Sequence, residues 1–284
     1  MIAEVEMKTI LRTLVLSLFL AASSALAAEG IAFITNLKGD VAVDANARAM
    51  LMSELSRGQK IVLGKDSQAS VMFIASGKEY VLKGPGDFVV KDTEIAASSG
   101  MPPVTRSTEW RTSGKVLVQV AQTSSASVRM RSLAPVKVDT SAKLIYPTQG
   151  NVTLLQPTFR WSGADLKGPT ELTLSIVGQE KPVLQAKTSG ATYRVPTKLK
   201  PDTEYVWTVS IGGSEVGTGR FRTLSMEAVQ QVERRKPSEK AEFSDRLLFA
   251  MMLQELGATQ EAQEAWAKLA QERSDLPELA ALAK

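Results

Sequence analysis

The sequence has no cysteine and no histidine among its 284 residues. These absences exclude disulfide bonds, thiol nucleophiles, Ser-His-Asp catalytic triads and the usual zinc sites. They also remove the one side chain that titrates near neutral pH in an ordinary environment. A hydrolase that uses carboxylates or lysine stays as an alternative, although no pair of carboxylates stands out. We therefore expect no catalytic, cofactor-binding or metal-binding residues, and a protein that is not an enzyme.

Charge of one sign is not concentrated in any part of the sequence. The chain has 34 Lys and Arg residues against 30 Asp and Glu residues, which gives a net charge of +4. Because the two signs are interspersed, the pattern does not indicate a nucleic-acid-binding surface. Hydrophobic residues make up 44% of the chain. This content is enough to build buried cores, and the length allows two or three domains.

The N-terminal residues have the pattern of a secretory signal peptide. Lys8 and Arg12 precede an apolar run over residues 13–22, and small residues follow up to Ala25-Leu26-Ala27. A positive start, an apolar centre and an A-x-A site are the three parts of such a signal. We expect residues 1–27 to be the signal peptide and the mature protein to be periplasmic.

Three alternatives remain for this N-terminal segment. We place the cleavage site after Ala27, and cleavage after Ala28 is the alternative. The acidic residues before Met7 do not suit the positive start of a signal, so we expect translation to start at Met7, with Met1 as the alternative. The segment could also stay uncleaved as an anchor, but its apolar run is shorter than the roughly 20 residues that a membrane-spanning helix needs. After cleavage we expect no transmembrane span.

Residues 28–133 are predicted to form a β domain. The turn Lys38-Gly39-Asp40 separates two short strands, and glycines that supply positive φ angles separate the later ones. The later predicted strands are Lys60–Leu63, Ala69–Ala75, Tyr80–Leu82 and Asp87–Val90.

This β pattern resembles the FecR domain. The residues that carry the resemblance are Gly39, Val41, Val43, Leu55, Gly58, Ile61, Ser67, Val71, Phe73, Gly77, Tyr80, Leu82, Gly84 and Phe88. The founding FecR type relays an outer-membrane transport signal, through an inner-membrane helix, to a sigma factor. This sequence has no recognisable anti-sigma segment, so the resemblance implies only an extracytoplasmic recognition module.

Residues 98–114 are polar, contain two prolines and are predicted to form a loop. Trp110 in this loop is flanked by Arg106 and Arg111, and the three side chains are a candidate contact for a glycan or a peptide. The alternative is that Trp110 anchors the loop on the β domain. Two strands, Lys115–Ala121 and Ser127–Arg131, are predicted to close the domain, and residues 134–142 to form a linker.

Residues 143–224 are predicted to form a second β domain, a sandwich of short strands. Trp161 lies on an early strand, and Leu199, Pro201, Thr203 and Tyr205 alternate in a pattern that resembles the tyrosine corner of a fibronectin type III domain. In a tyrosine corner the hydroxyl bonds to backbone a few residues upstream and fixes the crossover between the sheets. We therefore expect Trp161, Tyr205 and Trp207 to be core residues and not a ligand site.

Residues 225–284 change to a helical period. They include Leu256-Gly257, Glu261-Ala262, Trp266 and Pro277, and the spacing of these residues resembles a tetratricopeptide helical hairpin. Ser238 and Gly257 are predicted to cap the second helix, which carries Met251 and Met252. These methionines are either core residues or an adaptable docking surface for a partner. A single repeat cannot bury its own apolar face. We expect the hairpin to pack on the sandwich, to dimerise or to lie against a partner.

The sequence thus predicts a mainly β protein with two β domains and a small α-helical hairpin region. The function that it favours is that of an exported, non-catalytic adaptor that recognises a protein partner in the cell envelope. The alternative is a protein that binds peptidoglycan or another polysaccharide, since a mildly basic surface tolerates anionic envelope polymers. The candidate contacts are Trp110, Arg106, Arg111, Met251 and Met252, and no nucleic-acid partner is expected.

Overall fold

The computed structural model describes residues 30–44, 47–107, 142–163 and 169–283. Two β domains are followed by a small helical region, so the predicted fold class is confirmed. The predicted signal peptide, the predicted strands Lys115–Ala121 and Ser127–Arg131, and all of the predicted linker except Ala142 lie outside the described residues.

The first β domain consists of two five-stranded sheets, whose strand orders are β10-β7-β6-β1-β4 and β3-β2-β5-β8-β9. Every pairing within them is antiparallel. The strands are Gly30–Lys38 (β1), Val41–Val43 (β2), Ala47–Arg48 (β3), Glu54–Ser56 (β4), Lys60–Leu63 (β5), Gln68–Phe73 (β6), Lys78–Lys83 (β7), Gly86–Val90 (β8), Ile95–Ser99 (β9) and Val104–Ser107 (β10).

The chain passes from one sheet to the other at the predicted turn after β1. Gly39 has φ +77°, and a Cβ atom at this position would lie 2.6 Å from the Ser67 Oγ. The backbone of Asp40 donates a hydrogen bond to the same Oγ at 2.8 Å. Glycine is therefore required here for two reasons, the left-handed conformation and the close approach of Ser67.

The sheet that contains β1 and β6 is covered on both faces. Residues 69–73 of β6 and residues 32–35 of β1 are buried without interruption. Because successive side chains of a strand point to opposite faces, such a run requires a packed layer on each side. One layer is the second sheet, and the other is the helical region.

The prediction of a loop over residues 98–114 is wrong for its first part. β9 continues to Ser99, and β10 pairs with β7 in a register that places Arg106 opposite Glu79. Residues 100–103, with two prolines, form only the connection between the two strands. The chain is extended again from Val104, and Arg106 Nε donates a hydrogen bond to Glu79 Oε2 at 2.7 Å.

The second β domain is a sandwich of a three-stranded sheet, β11-β13-β16, and a five-stranded sheet, β12-β18-β17-β14-β15. β12 is parallel to β18, and the other pairings are antiparallel. The strands are Ala142–Tyr146 (β11), Asn151–Val152 (β12), Thr158–Gly163 (β13), Thr170–Ile176 (β14), Leu184–Thr188 (β15), Thr192–Arg194 (β16), Glu204–Ile211 (β17) and Ser214–Thr223 (β18).

The aromatic residues of the sandwich form its core, as predicted. Trp161, Tyr205 and Trp207 are at most 2% exposed. The Tyr205 hydroxyl accepts a hydrogen bond from the backbone N–H of Lys200 at 2.9 Å, which is the geometry of a tyrosine corner. The Trp207 ring stacks on Phe159 with a centroid distance of 4.6 Å. These large rings are therefore used for packing and for fixing the crossover between the sheets.

Four helices follow the sandwich: Met226–Arg235 (α1), Phe243–Glu255 (α2), Thr259–Glu272 (α3) and Pro277–Leu282 (α4). Ser225 caps α1, since its Oγ accepts from the N–H of Ala228 at 3.2 Å. The prediction that Ser238 caps the second helix is wrong, because α2 begins only where the Phe243 ring becomes buried. Gly257 follows the end of α2 and has φ +68°, which is the left-handed conformation that glycine commonly adopts after the last turn of a helix.

The helices bury their apolar face mainly on the first β domain. Leu247, Met251 and Trp266 belong to the same hydrophobic core as Phe33 and Met72 of that domain. The guanidinium of Arg273, after α3, adds a hydrogen bond to Asn36 Oδ1 at 2.6 Å. The expected support for this hairpin was the sandwich, a second copy or a partner, so packing on the first β domain was not predicted.

Candidate functional site

The side chains of Met251 and Met252 are not available for contact with a partner. They are 0% and 2% exposed, respectively, and lie in the core that the helices share with the first β domain. The prediction that these methionines form a docking surface is therefore wrong, and the alternative, that they are core residues, is confirmed. Methionine is a flexible apolar side chain that can fill irregular gaps, which suits packing between a helix and a sheet.

Arg106 is used inside the molecule and does not form an open contact site. Its Nε donates to Glu79 Oε2 at 2.7 Å, and its Nη1 donates to Asp245 Oδ2 at 2.8 Å. Its Nη2 also donates to Ser244 Oγ at 2.6 Å. Burial disfavours the charge of Arg106, but the hydrogen bonds and charges of Asp245 and Glu79 outweigh burial and raise its pKa. The guanidinium therefore holds α2 against β7.

The other two predicted contacts, Trp110 and Arg111, lie outside the described residues. Their contact with a glycan or a peptide stays a prediction. Met251 and Met252 lie side by side in the core, whereas Arg106 is on β10 and is bonded to Glu79 and Asp245. The five predicted contacts therefore do not converge on one described site.

A different candidate site lies where the sandwich meets the N-terminal end of α3. The Tyr146 hydroxyl donates a short hydrogen bond to Glu261 Oε1, and the N–H of Thr153 donates to the same oxygen at 3.2 Å. Beside them, the N–H of Thr148 donates to Gln260 Oε1 at 2.7 Å. These three hydrogen bonds hold the sandwich against the N-terminal end of α3.

The loop between α2 and α3 completes this junction. The side chain of Asn151 donates to the carbonyl of Leu256 at 2.7 Å, and its backbone N–H donates to the carbonyl of Gly257 at 2.8 Å. The orphan carbonyls at the end of α2 thus find their partners on the sandwich. Since the bonds involve backbone on both sides, the two units meet in a defined orientation.

Next to this junction a groove of about 970 Å³ runs between the sandwich and the helices. Phe249 and Leu253 of α2 and Ala265 and Leu269 of α3 form an apolar floor, and Leu154 faces them from the sandwich. Leu154 is 52% exposed, and Phe249 is half-buried. The groove therefore exposes apolar surface between the sandwich and the helices.

Charged side chains of both signs surround the apolar floor. The acidic ones are Glu233, Glu239, Glu261 and Glu264, and the basic ones are Arg160, Lys236, Arg246 and Lys268. Arg160 forms a short ion pair with Glu264 across the junction, and its guanidinium lies 5.2 Å from the centre of the Tyr146 ring. Arg246 pairs with Glu272 at the other end of α3.

Of the four acidic residues of the groove, Glu261 is the least exposed. Its Oε2 is buried and has no hydrogen-bond partner among the described residues, whereas Oε1 accepts two bonds. Burial raises the pKa of Glu261, and its hydrogen bonds to Tyr146 and Thr153 only partly oppose that shift. Burial and the charge of Glu261 also raise the pKa of Tyr146. The junction thus contains a carboxylate that is costly to charge.

Sequence reasoning missed the groove because no local pattern marks it. Leu154, Phe249 and Glu261 are ordinary residues in three separate segments, and only the junction brings them together. The one available signal was the excess of charged residues on the polar stripe of α3, which is equally typical of a solvated helix face.

Within the described ranges, no cluster of three or more metal-ligating side chains is close enough to hold a metal ion. In the same ranges, no helix has both the length and the apolar content to cross a membrane. A scan against protein-family profiles and a search of curated proteins found no match for this chain.

Proposed function

We propose that this protein is a non-catalytic interaction protein of the periplasm that binds a segment of an envelope protein in the groove between its sandwich and its helices. The groove, with its exposed Leu154 and its apolar floor, is the observation that carries the proposal. The N-terminal signal pattern and the resemblance of the first domain to FecR modules support the periplasmic location and a role in envelope recognition.

The composition of the groove supports a polypeptide ligand. Protein interfaces combine an apolar centre with a rim of polar and charged groups, and this groove has both. Its two walls are joined by hydrogen bonds from Tyr146, Thr148 and Asn151. A preformed site of this kind loses little conformational freedom when it binds, which favours affinity.

Photocrosslinking in living cells tests the proposal. A photoreactive amino acid at Leu154, inside the groove, should give a discrete crosslinked product. The same amino acid at Val183, which is 46% exposed but does not line the groove, is the matched control. The product should also disappear when Glu264→Lys is added to the Leu154 probe. Equal products at both positions, or none at Leu154, would contradict the proposal.

The polysaccharide alternative depends on Trp110 and Arg111, and sedimentation with purified peptidoglycan separates it from the adaptor function. If the protein sediments with peptidoglycan and Trp110→Ala abolishes this, the alternative is favoured. If sedimentation is absent while the Leu154 probe reacts, the adaptor function is favoured. Arg106 is a poor probe here, because its substitution would disturb the contact with Asp245 and Glu79.

A further inference from the structure

The apolar surface of the groove continues an interface that is already present in the protein. Val232 of α1, Leu253 of α2 and Leu269 of α3 line the groove, and all three belong to the core that the helices share with the first β domain. Phe249 and Ala265 pack against the same core but stay partly exposed in the groove. The groove is therefore the open edge of a layer of packed helices.

The lining of the groove extends along α2 and α3 for about two helical turns. On α2 the lining residues run from Arg246 to Leu253, a stretch that is about 10 Å long at a rise of 1.5 Å per residue. On α3 they run from Glu261 to Leu269, which corresponds to about 12 Å. A ligand that covers the floor therefore has to match a length of about 10–12 Å.

The cross-section of the groove fits a helix better than an extended strand. A volume of about 970 Å³ over a length of about 12 Å gives a mean cross-section of about 80 Å². This is the area of a circle about 10 Å across, and an α-helix with its side chains has a diameter of about 10–12 Å. A strand takes up about 5 Å towards its neighbours and about 10 Å between packed layers, which is only about 50 Å². An extended segment would therefore leave much of the groove unfilled, which is unfavourable in a packed interface.

The charges around the groove do not favour a ligand of either sign. Four acidic and four basic side chains line it. Arg160 is paired with Glu264. Arg246 is paired with Glu272 and also has the charge of Glu242 close by. Because the lining has no excess of one sign, the ligand has to be held mainly by apolar contact, with its own polar groups at the rim.

We propose that the groove binds an amphipathic α-helix of the partner protein, about two to three turns long, whose apolar stripe lies against Leu154, Phe249 and Ala265. Residues at positions i, i+3 or i+4, and i+7 of a helix share one face and span about 10 Å, which matches the length of the floor. The bound helix adds one more member to the helical layer and directs its polar face to solvent and to the charged rim. This inference rests on the proposed function, because it specifies the form of the segment that the groove would bind.

Selection from a phage-displayed library of random peptides, each about 16 residues long, on the immobilised full chain tests this inference. The selected sequences should share large apolar residues at i, i+3 or i+4, and i+7, and not the alternation of an extended segment. A synthetic consensus peptide should bind Leu154→Asp at least about tenfold more weakly than the wild type, because a charge then faces its apolar stripe. Val183→Asp is the matched control, since Val183 is 46% exposed but does not line the groove. It should bind the peptide as the wild type does.

Two changes to the consensus peptide test whether it binds as a helix. A covalent bridge between side chains i and i+4 on its polar face fixes the helix before binding. It should strengthen binding about three- to tenfold, because less conformational freedom is then lost. Proline at a polar position in the middle should weaken binding about 100-fold, since it removes a helical hydrogen bond and clashes with the preceding turn. Alanine at the same position should have little effect.

Each outcome decides between the two proposals. A consensus peptide that depends on Leu154 but loses binding when bridged, or that tolerates the proline, would overturn this inference and leave the proposed function standing. If no selected peptide depends on Leu154, both proposals are overturned. Sedimentation equilibrium of the full chain covers the remaining occupant. A dimer that Leu154→Asp dissociates would show that the groove holds a second copy of the chain, and it would also overturn both proposals.

Discussion

Arg106 on β10 joins the carboxylate of Glu79 on β7 to the carboxylate of Asp245 on α2, with contacts of 2.7 and 2.8 Å. Glu79 is 1% exposed and accepts a further bond from the Thr35 hydroxyl at 2.6 Å. A charge with so little access to water is tolerated only when it is paired and hydrogen-bonded. The helical region is thus connected to the first β domain through a polar contact as well as an apolar one.

Arg106→Ala should therefore destabilise the protein strongly. The change leaves Glu79 without its cation inside the molecule. We expect a loss of about 3 kcal/mol in the free energy of unfolding, near the lower limit for breaking a buried ion pair, because the Arg106 side chain is itself 29% exposed. Urea unfolding followed by circular dichroism measures the loss.

The matched control for this variant is Arg57→Ala, which removes an ion pair with Asp92 at the surface. These two side chains are 74% and 63% exposed, so the loss should be at most about 1 kcal/mol. Replacing both Arg106 and Glu79 by leucine should restore part of the stability, because the buried Glu79 charge is removed, while Asp245, which also loses Arg106, is 27% exposed and keeps contact with water. Equal losses for Arg57→Ala and Arg106→Ala would contradict this account.

Met251→Ala tests whether the helices and the first β domain form one core. Met251 is fully buried between them, so its truncation should cost about 2–5 kcal/mol. Hydrogen exchange should show weaker protection in both α2 and β6. Met226→Ala, at a 46% exposed position of α1, should change stability by no more than about 0.5 kcal/mol. Weaker protection in α2 alone would mean that the two units unfold separately.

The sequence predicted the sandwich in detail because the relevant signals are local. The alternation that contains Tyr205, and the bond of its hydroxyl to Lys200, lie within a single turn and strand. The contact of Arg106 with Asp245 joins residues 139 positions apart, and that of Tyr146 with Glu261 joins residues 115 positions apart. Such contacts depend on how whole units pack, and no period in the sequence encodes that packing. For the same reason the groove could not be predicted.

The stability of the protein should depend on pH through Glu261. Burial raises the pKa of this carboxyl above its ordinary value of 4.5, so the folded protein binds the proton more tightly than the unfolded chain does. The resulting contribution to stability is complete below pH 4.5 and is lost as the pH rises through the raised pKa. Glu261→Gln stays neutral, so it should become more stable relative to the wild type as the pH rises above 4.5.

Glu272→Gln is the control for this pH dependence, because its stability relative to the wild type should change with pH in the opposite direction. The hydrogen bond from Arg246 lowers the pKa of Glu272, so its contribution is present above the ordinary pKa and is lost on acidification. Glu272→Gln should therefore become less stable relative to the wild type as the pH rises. Urea unfolding at several pH values gives both differences. Parallel pH dependences for the two variants would refute the assignment of the buried carboxylate.

The tyrosine corner gives the last prediction. Tyr205→Phe keeps the ring in its stack with Phe221, whose centroid lies 5.5 Å away, and removes only the hydroxyl that accepts from the N–H of Lys200. We expect a loss of about 1–2 kcal/mol, since the N–H of Lys200 then lacks this partner. Tyr193→Phe, whose hydroxyl makes no hydrogen bond among the described residues, should have almost no effect. Because the bond fixes the crossover into β17, thermal unfolding of the sandwich should reveal the difference, and equal effects of the two substitutions would show that the ring alone stabilises the corner.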